Sequence, residues 1–312
     1  MACVMTTIED RDDPIEAIAD FMAGFSLEAT RPSADDVAAL ADIAPAGTSV
    51  YVSAVPRRPV HEAIDAAARL RKAGFEPVPH LAVRGFATAR ELDDFLARLR
   101  GEAGVTSVLV IAGDHDEPAG DFRSAIEVID GGALQRHGIT GIAIAGYPDG
   151  HPRISQQDLD RSLADKIQSA EATGLAVHVV TQFGFDAQAI LQWIARLREF
   201  GVEHPVRIGL AGPTNLATLL RYAQRCGVRA SAQGLARQAG LLRQLFAMSA
   251  PDGLVRALAQ ARADKHLGEI APHFFSFGGL QCTARWAAAV AQRRIALEGG
   301  DGFRVEPPPA EG

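Results

Sequence analysis

Cysteine is scarce in this 312-residue chain: Cys3, Cys226 and Cys282 are odd in number, scattered and without any CxxC spacing. That argues against a disulfide framework or a zinc finger and points to a reducing compartment. Long apolar runs are missing too. Nothing approaches the roughly 18–20 residues of a membrane span, and the acidic stretch from Met1 to Pro14 lacks the apolar core of a secretory leader. There is no basic excess either, since a formal charge of −7 supplies no positive face for nucleic acid. No GxGxxG follows the first predicted strand, so the common dinucleotide fingerprint is absent. Lysine is confined to Lys72, Lys166 and Lys265. What is present, 47% hydrophobic and 22% charged residues, is a globular rather than a disordered composition. The chain reads as a cytoplasmic globular protein with a small-molecule ligand, no nucleic-acid or membrane partner, and a homo-oligomer left open.

Eight short apolar runs recur: Phe25–Ala29, Ser49–Val55, Pro77–Val83, Ser107–Ala112, Gly141–Gly146, Val177–Phe183, Pro205–Ala211 and Phe274–Phe277. Most are continuously apolar, as strands buried on both faces are. Between them lie helical periodicities with caps at Ser33, Thr88, Ser155 and Asp186, and closing glycines at Gly74, Gly101, Gly201 and Gly227. Eight alternating strands and helices predict an α/β fold, a single-domain (β/α)8 TIM barrel, in preference to a doubly wound open sheet. The body is predicted over residues 21–298, with flexible segments at 1–20 and 299–312. Extra helices, near Gln233–Phe246 and Pro251–His266, are expected between the seventh and eighth strands.

A barrel carries its chemistry at the carboxyl ends of its strands, which here offer Glu28, Ser53, His80, Asp114, Tyr147, His151 and Gln182. Glu28 in an apolar mouth is expected to have its pKa raised by desolvation, as suits a general acid; the plainer reading is a capping Glu or one paired with Arg31. Asp114 suits the two-pronged edge of an amino-pyrimidine, although a turn aspartate reads the same way. The cluster Asp114, His115, Asp116, Glu117 and Asp121 leaves a divalent metal as a minor alternative. Tyr147 suits stacking on a planar ring and His151 donation to a phosphate or ring oxygen, yet Pro148-Asp149-Gly150 is also an ordinary turn. Gln182 suits a heterocycle edge. His80 reads as readily as a satisfied core histidine.

Taken together, Pro79-His80-Leu81, Gly113-Asp114, Ala145-Gly146-Tyr147-Pro148-Asp149-Gly150-His151-Pro152 and Thr181-Gln182-Phe183-Gly184-Phe185-Asp186 resemble methylenetetrahydrofolate reductase. They stand in that family's order, and weaker similarity runs from about Phe25 to Phe277. The resemblance implies reduction of 5,10-methylenetetrahydrofolate with hydride from NADH or NADPH, through FAD or directly. It implies Glu28 as the acid that protonates N10; Asp114, Gln182 and Phe277 as substrate contacts; and Ser53, His80, Gly113, Tyr147, His151 and Lys166 as FAD contacts, with no metal.

Departures fall on groups that hold FAD or the substrate tail. Leu27-Glu28-Ala29-Thr30-Arg31-Pro32 replaces Phe-Glu-Phe-Phe-Pro-Pro, Ala112-Gly113-Asp114 replaces Arg-Gly-Asp, Phe122 replaces a tyrosine, Asp165 stands where a basic residue is common, and Gly279 stands where the family has a substrate-binding Arg. Each lost charge-assisted bond costs about 1.5–3 kcal/mol, so weak or absent FAD binding is expected, with a nicotinamide delivering hydride directly. The same pocket without turnover, a folate- or flavin-binding barrel, is the non-enzymatic alternative. A metal-dependent aldolase-type barrel is the remaining one.

Overall fold

A computed structural model describes residues 13–55, 58–226, 248–262 and 264–307. Its centre is the predicted closed (β/α)8 barrel of eight parallel strands. In chain order these are β1 (Ser26–Ala29), β2 (Ser49–Val52), β3 (Glu76–Ala82), β4 (Ser107–Ile111), β5 (Gly141–Gly146), β6 (Ala176–Thr181) and β7 (Val206–Ala211). Two-residue strands β8 (Thr214–Asn215) and β9 (Met248–Ser249) then pair with each other outside the barrel, and β10 (Ile270–Phe275) closes the ring between β7 and β1.

Alternation along each strand divides the apolar residues into two layers. Leu27, Val50, Leu81, Val108, Ile142, Val179, Ile208 and Phe274 point outward into one continuous cluster with the surrounding helices. Inside the barrel lies a smaller layer of Tyr51, Val78, Leu109, Ala143 and Val180, one from each of β2 to β6. The inward positions of β1 and β10 include polar groups: register sets Ser26 beside His273, and Glu28 between Phe275 and Tyr51.

The cap residues act as their spacing predicts. Ser33 forms a reciprocal capping box with Asp36 on α2 (Ala34–Ala41), and Thr88 accepts the Glu91 amide on α4 (Ala89–Ala103). Ser155 and Asp186 cap α7 (Gln156–Ala172) and α8 (Ala187–Glu199). Gly74 and Gly201 adopt φ of +89° and +79° just past their helices, as expected. Gly101 does not close its helix: α4 runs on to Ala103, and Gly104 takes the left-handed cap at φ +58°.

The barrel's body is longer at both ends than the sequence indicated. Instead of trailing loosely up to residue 20, the chain forms α1 (Pro14–Met22), capped by Asp13, with Ile18, Phe21 and Met22 buried. This helix packs against the helices Asp252–Ala261 and Leu280–Ala291. Rather than fraying from residue 299, the chain turns back as the antiparallel hairpin β11 (Ile295–Leu297) and β12 (Phe303–Val305). Burial of Phe303 against Trp286, rings stacked at 6.0 Å, outweighs the Gly- and Pro-rich composition there. Of the extra helices, Pro251–His266 corresponds to the helix Asp252–Ala261 and a 3-10 turn at Lys265–Leu267. Gln233–Phe246 and Gly227 lie outside the described residues. Among those described, no helix is long and apolar enough to cross a membrane.

The exits of β6 and β7 approach too closely for a side chain. A Cβ at Gly209 would lie 2.3 Å from the Thr181 carbonyl oxygen, and the Gly209 amide donates to Thr181 Oγ1 at 2.8 Å. Gly209→Ala is therefore expected to cost on the order of 1–3 kcal/mol or more through overpacking. Urea unfolding of the variant beside the wild type measures this.

Candidate functional site

Glu28 ends β1 on the inward face. Its carboxylate accepts the Ser53 hydroxyl at Oε1 (2.7 Å), while His80 Nε2 and His273 Nε2 each lie 3.5 Å from Oε2. Thr30 Oγ1 stands 3.1 Å from the same Ser53 hydroxyl. Burial raises the Glu28 pKa, but the charge of His80 and hydrogen bonding to both imidazoles outweigh it and hold the carboxyl well below its ordinary range. The expected upward shift is thus reversed, because the carboxylate is not isolated. Nor is it partnered by arginine: Arg31 reaches Glu62 instead, at 3.3 Å.

Below the carboxylate lies a polar network the sequence did not reveal. His273 is fully buried, and its Nδ1 lies 2.9 Å from Ser26 Oγ. The Tyr51 hydroxyl meets His178 Nε2 at 2.5 Å, and the Tyr51 ring stands edge-on to His273 at 4.6 Å. Burial raises the Tyr51 pKa. Burial, with the charges of Arg207 and His273, pushes His178 down to about 3. Burial likewise lowers His273, although Glu28 opposes it. The signal for these residues was period-two alternation in β1, β2, β6 and β10, obscured by apolar neighbours that face outward.

A cavity of about 450 Å³ opens beside this network, a size that accommodates part of a drug-sized ligand. Ser53, His80, Gly113 and Asp114 line it, with Val52, Val55, Phe86, Phe95 and Ile111 as apolar wall and Arg31 and Arg58 at its edge. Gly113 turns the chain at φ +91°, where a Cβ would meet that of Ala82 at 2.9 Å. This tight exit from β4 places Asp114 at the cavity. The acidic loop forms no ion cage: Asp116 pairs with Arg153 at 3.0 Å, and no metal-ligating group of three is found among the described residues.

The other expected residues lie elsewhere around the mouth. Gln182 is not on the cavity wall, and its Oε1 accepts the Phe183 amide at 3.1 Å. Phe277 stacks on Tyr222 at 4.1 Å and meets Phe183 edge-on at 4.9 Å, in an aromatic corner above β6, β7 and β10. Tyr147 and His151 meet edge-on at 5.5 Å, with His151 Nδ1 accepting the Arg153 amide. Burial raises Tyr147 and lowers His151, and the Asp114 charge raises both. Lys166 follows Leu159 and Leu163 on the inward stripe of α7, and burial lowers its amine.

The positions that the resemblance assigns to FAD therefore divide among three places. Ser53, His80 and Gly113 line the cavity, Tyr147 and His151 form a second corner, and Lys166 sits on an outer helix. The Ser53 hydroxyl and His80 Nε2 are also directed at Glu28. Among the described residues, these positions do not all line one cavity.

The family model described as methylenetetrahydrofolate reductase matches residues 34–265. Methylenetetrahydrofolate reductase 2 of Saccharomyces cerevisiae is 27% identical over 158 residues, 48% of this chain and 26% of that protein. The 5,10-methylenetetrahydrofolate reductase of Pectobacterium carotovorum is 27% identical over 161 residues, 51% of each chain. The chain thus spans between a quarter and about half of these curated relatives. An uncharacterized protein from Clostridium thermocellum, described as binding two copies of 5-methyl-5,6,7,8-tetrahydrofolic acid, shares the fold at a TM-score of 0.56 and 11% identity, over 88% of this chain and 96% of that one. With the family match extending over most of its length, this chain belongs to the methylenetetrahydrofolate reductase family.

Proposed function

We propose that this chain binds a reduced folate at the barrel mouth and converts 5,10-methylenetetrahydrofolate to 5-methyltetrahydrofolate, taking hydride directly from NADH or NADPH as co-substrate. The observation that carries this reading is the placement of Glu28. It lies buried at the end of β1, bonded to Ser53 and beside His80, and both of these line the same cavity as Asp114.

In this reading Asp114 accepts two hydrogen bonds from the amino-pyrimidine edge of the pterin, and Gln182 approaches from β6 across the mouth. Glu28, once it carries a proton, gives it to N10. The bond from N10 to the methylene carbon breaks with its electron pair going to N10, leaving an iminium at N5. Hydride adds to the methylene carbon, which becomes the methyl group. One proton and one hydride are consumed per turnover, and the same residues serve the reverse direction by microscopic reversibility. The aromatic corner of Phe183, Tyr222 and Phe277 offers a face for the flat remainder of the ligand. The non-enzymatic alternative shares the Asp114 clamp and differs only in turnover, which Glu28 decides.

Glu28→Gln is expected to lower kcat by about 10²–10⁴-fold, the usual contribution of a general acid, while 5-methyltetrahydrofolate still binds; anaerobic NAD(P)H oxidation and calorimetry measure the two. Wild-type turnover in the glutamine variant overturns the acid assignment. Asp114→Asn removes a charge-assisted contact of about 1.5–3 kcal/mol, so folate binding should weaken by roughly 10- to 100-fold. The purified chain should be colourless and should turn over without added FAD. A yellow protein absorbing near ~450 nm, as bound flavins do, overturns direct hydride transfer.

A further inference from the structure

We infer that Arg31 and Arg58 seat the diphosphate of the nicotinamide dinucleotide, and that Glu62 is the counter-ion this group displaces. The inference rests on direct hydride transfer from NADH or NADPH, and it gives that co-substrate a place at the exits of β1 and β2.

Both guanidiniums converge on one carboxylate oxygen. Arg31 Nε lies 3.3 Å from Glu62 Oε2, and Arg58 Nε 3.8 Å from the same atom. Two cations on one anion leave a positive charge in excess. Among the described residues neither guanidinium finds a hydrogen-bond partner, so their N–H donors are available to a ligand. All three side chains line the cavity that Ser53 and His80 also line. A pair of forked, permanently charged donors at a cavity edge matches the oxygens of a phosphate group.

The backbone supports the same reading. Arg31 is held at φ +53°, in the left-handed region that a side chain seldom adopts. That conformation costs free energy, and an ion pair whose arginine is half exposed returns little of it. In the resemblance, proline stands at this position, and proline cannot take such a φ because its ring fixes the angle near −65°. The turn that brings Arg31 to the cavity is therefore particular to this chain.

Position selects the diphosphate over other anions. Arg31 follows Glu28 by three residues, so their backbones lie no more than about 11 Å apart. From a nicotinamide reacting beside Glu28, the diphosphate is the first anionic group along the dinucleotide. The 2′-phosphate of NADPH lies beyond the second ribose. The carboxylates of a folate lie at the far end of its aryl tail, away from a pterin held by Asp114. Acidic groups stand on the other side of the cavity, where Asp114 follows β4 and Glu91 of α4 accepts the Ala87 amide at 2.8 Å. Binding exchanges one anion for another, as Glu62 turns to solvent and the diphosphate takes its place between the arginines.

Calorimetry on the full chain, with and without 5-methyltetrahydrofolate, tests this. Arg31→Gly keeps the left-handed turn and removes one cation, and Arg58→Gln removes the other. Each should weaken NADH and NADPH by the same factor, about 10-fold, and leave the Kd for 5-methyltetrahydrofolate unchanged. Arg31→Lys, charged but without the fork, should recover part of the affinity. Glu62→Gln should tighten both dinucleotides by roughly 2- to 5-fold, the worth of an exposed ion pair. In turnover, KM for NADH should rise in the arginine variants with kcat unchanged. Loss confined to NADPH assigns the pair to a 2′-phosphate, equal loss of folate binding assigns it to carboxylates, and FAD binding that falls in the same variants assigns it to a flavin dinucleotide; each overturns the proposal. So does wild-type affinity for NADH in both arginine variants, or a wild type that binds neither nicotinamide dinucleotide. A wild type that binds NADH with this dependence yet fails to turn over methylenetetrahydrofolate removes the reductive reading and leaves the diphosphate site standing.

Discussion

A single carboxylate, buried without arginine or lysine beside it, organises the mouth of this barrel. Desolvation alone would keep Glu28 neutral, at a cost that grows as the surrounding dielectric falls. Two imidazoles reverse that preference, and the Ser53 hydroxyl donates to the same carboxylate. The choice of histidine matters. An arginine would neutralise the carboxylate permanently, whereas an imidazole can return a neutral group after giving up its proton. Burial, Arg207 and His80 disfavour a positive charge on His273, and Glu28 favours it.

The division of the mouth follows from this centre. On one side, the tight glycine exit of β4 brings Asp114 to the cavity lined by Ser53 and His80, the two residues that approach Glu28. On the other, Phe183, Phe275, Phe277 and Tyr222 form an apolar corner with well-defined ring geometry. The two sides meet at Phe275, which neighbours Glu28 across the pairing of β1 with β10 and stacks on Phe277.

Much of this was legible in the sequence, for physical reasons that differ by residue. The eight strands were visible because parallel strands buried on both faces leave unbroken apolar runs. Their exits were visible because glycine and polar residues interrupt those runs at Gly113-Asp114 and Tyr147-Pro148. The same apolar density concealed what lies inside. Tyr51 and His178 sit in mid-run and His273 just ahead of the last run, and only the closed barrel shows that these rings face one another. The pKa of Glu28 was misread because its sign depends on His80 and on His273, the latter 245 residues away in the chain. Helix α1 was missed because an acidic leader and an N-capping Asp13 look alike without the partners that bury Phe21 and Met22. The hairpin at the other end was missed because one well-packed aromatic, Phe303, decided against its composition.

The seam of the barrel lies between β1 and β10, the first and last of the barrel strands to leave the ribosome. Until β10 emerges, β1 presents an unpaired parallel edge, and the earlier strands form an open sheet vulnerable to pairing with other chains. Ser26 and Glu28 belong to one lip of that seam and His273 to the other. The carboxylate and the buried imidazole of His273 consequently meet only at the moment of closure. A nascent or partly opened chain holds Glu28 without His273, so the charge balance of the mouth depends on complete folding.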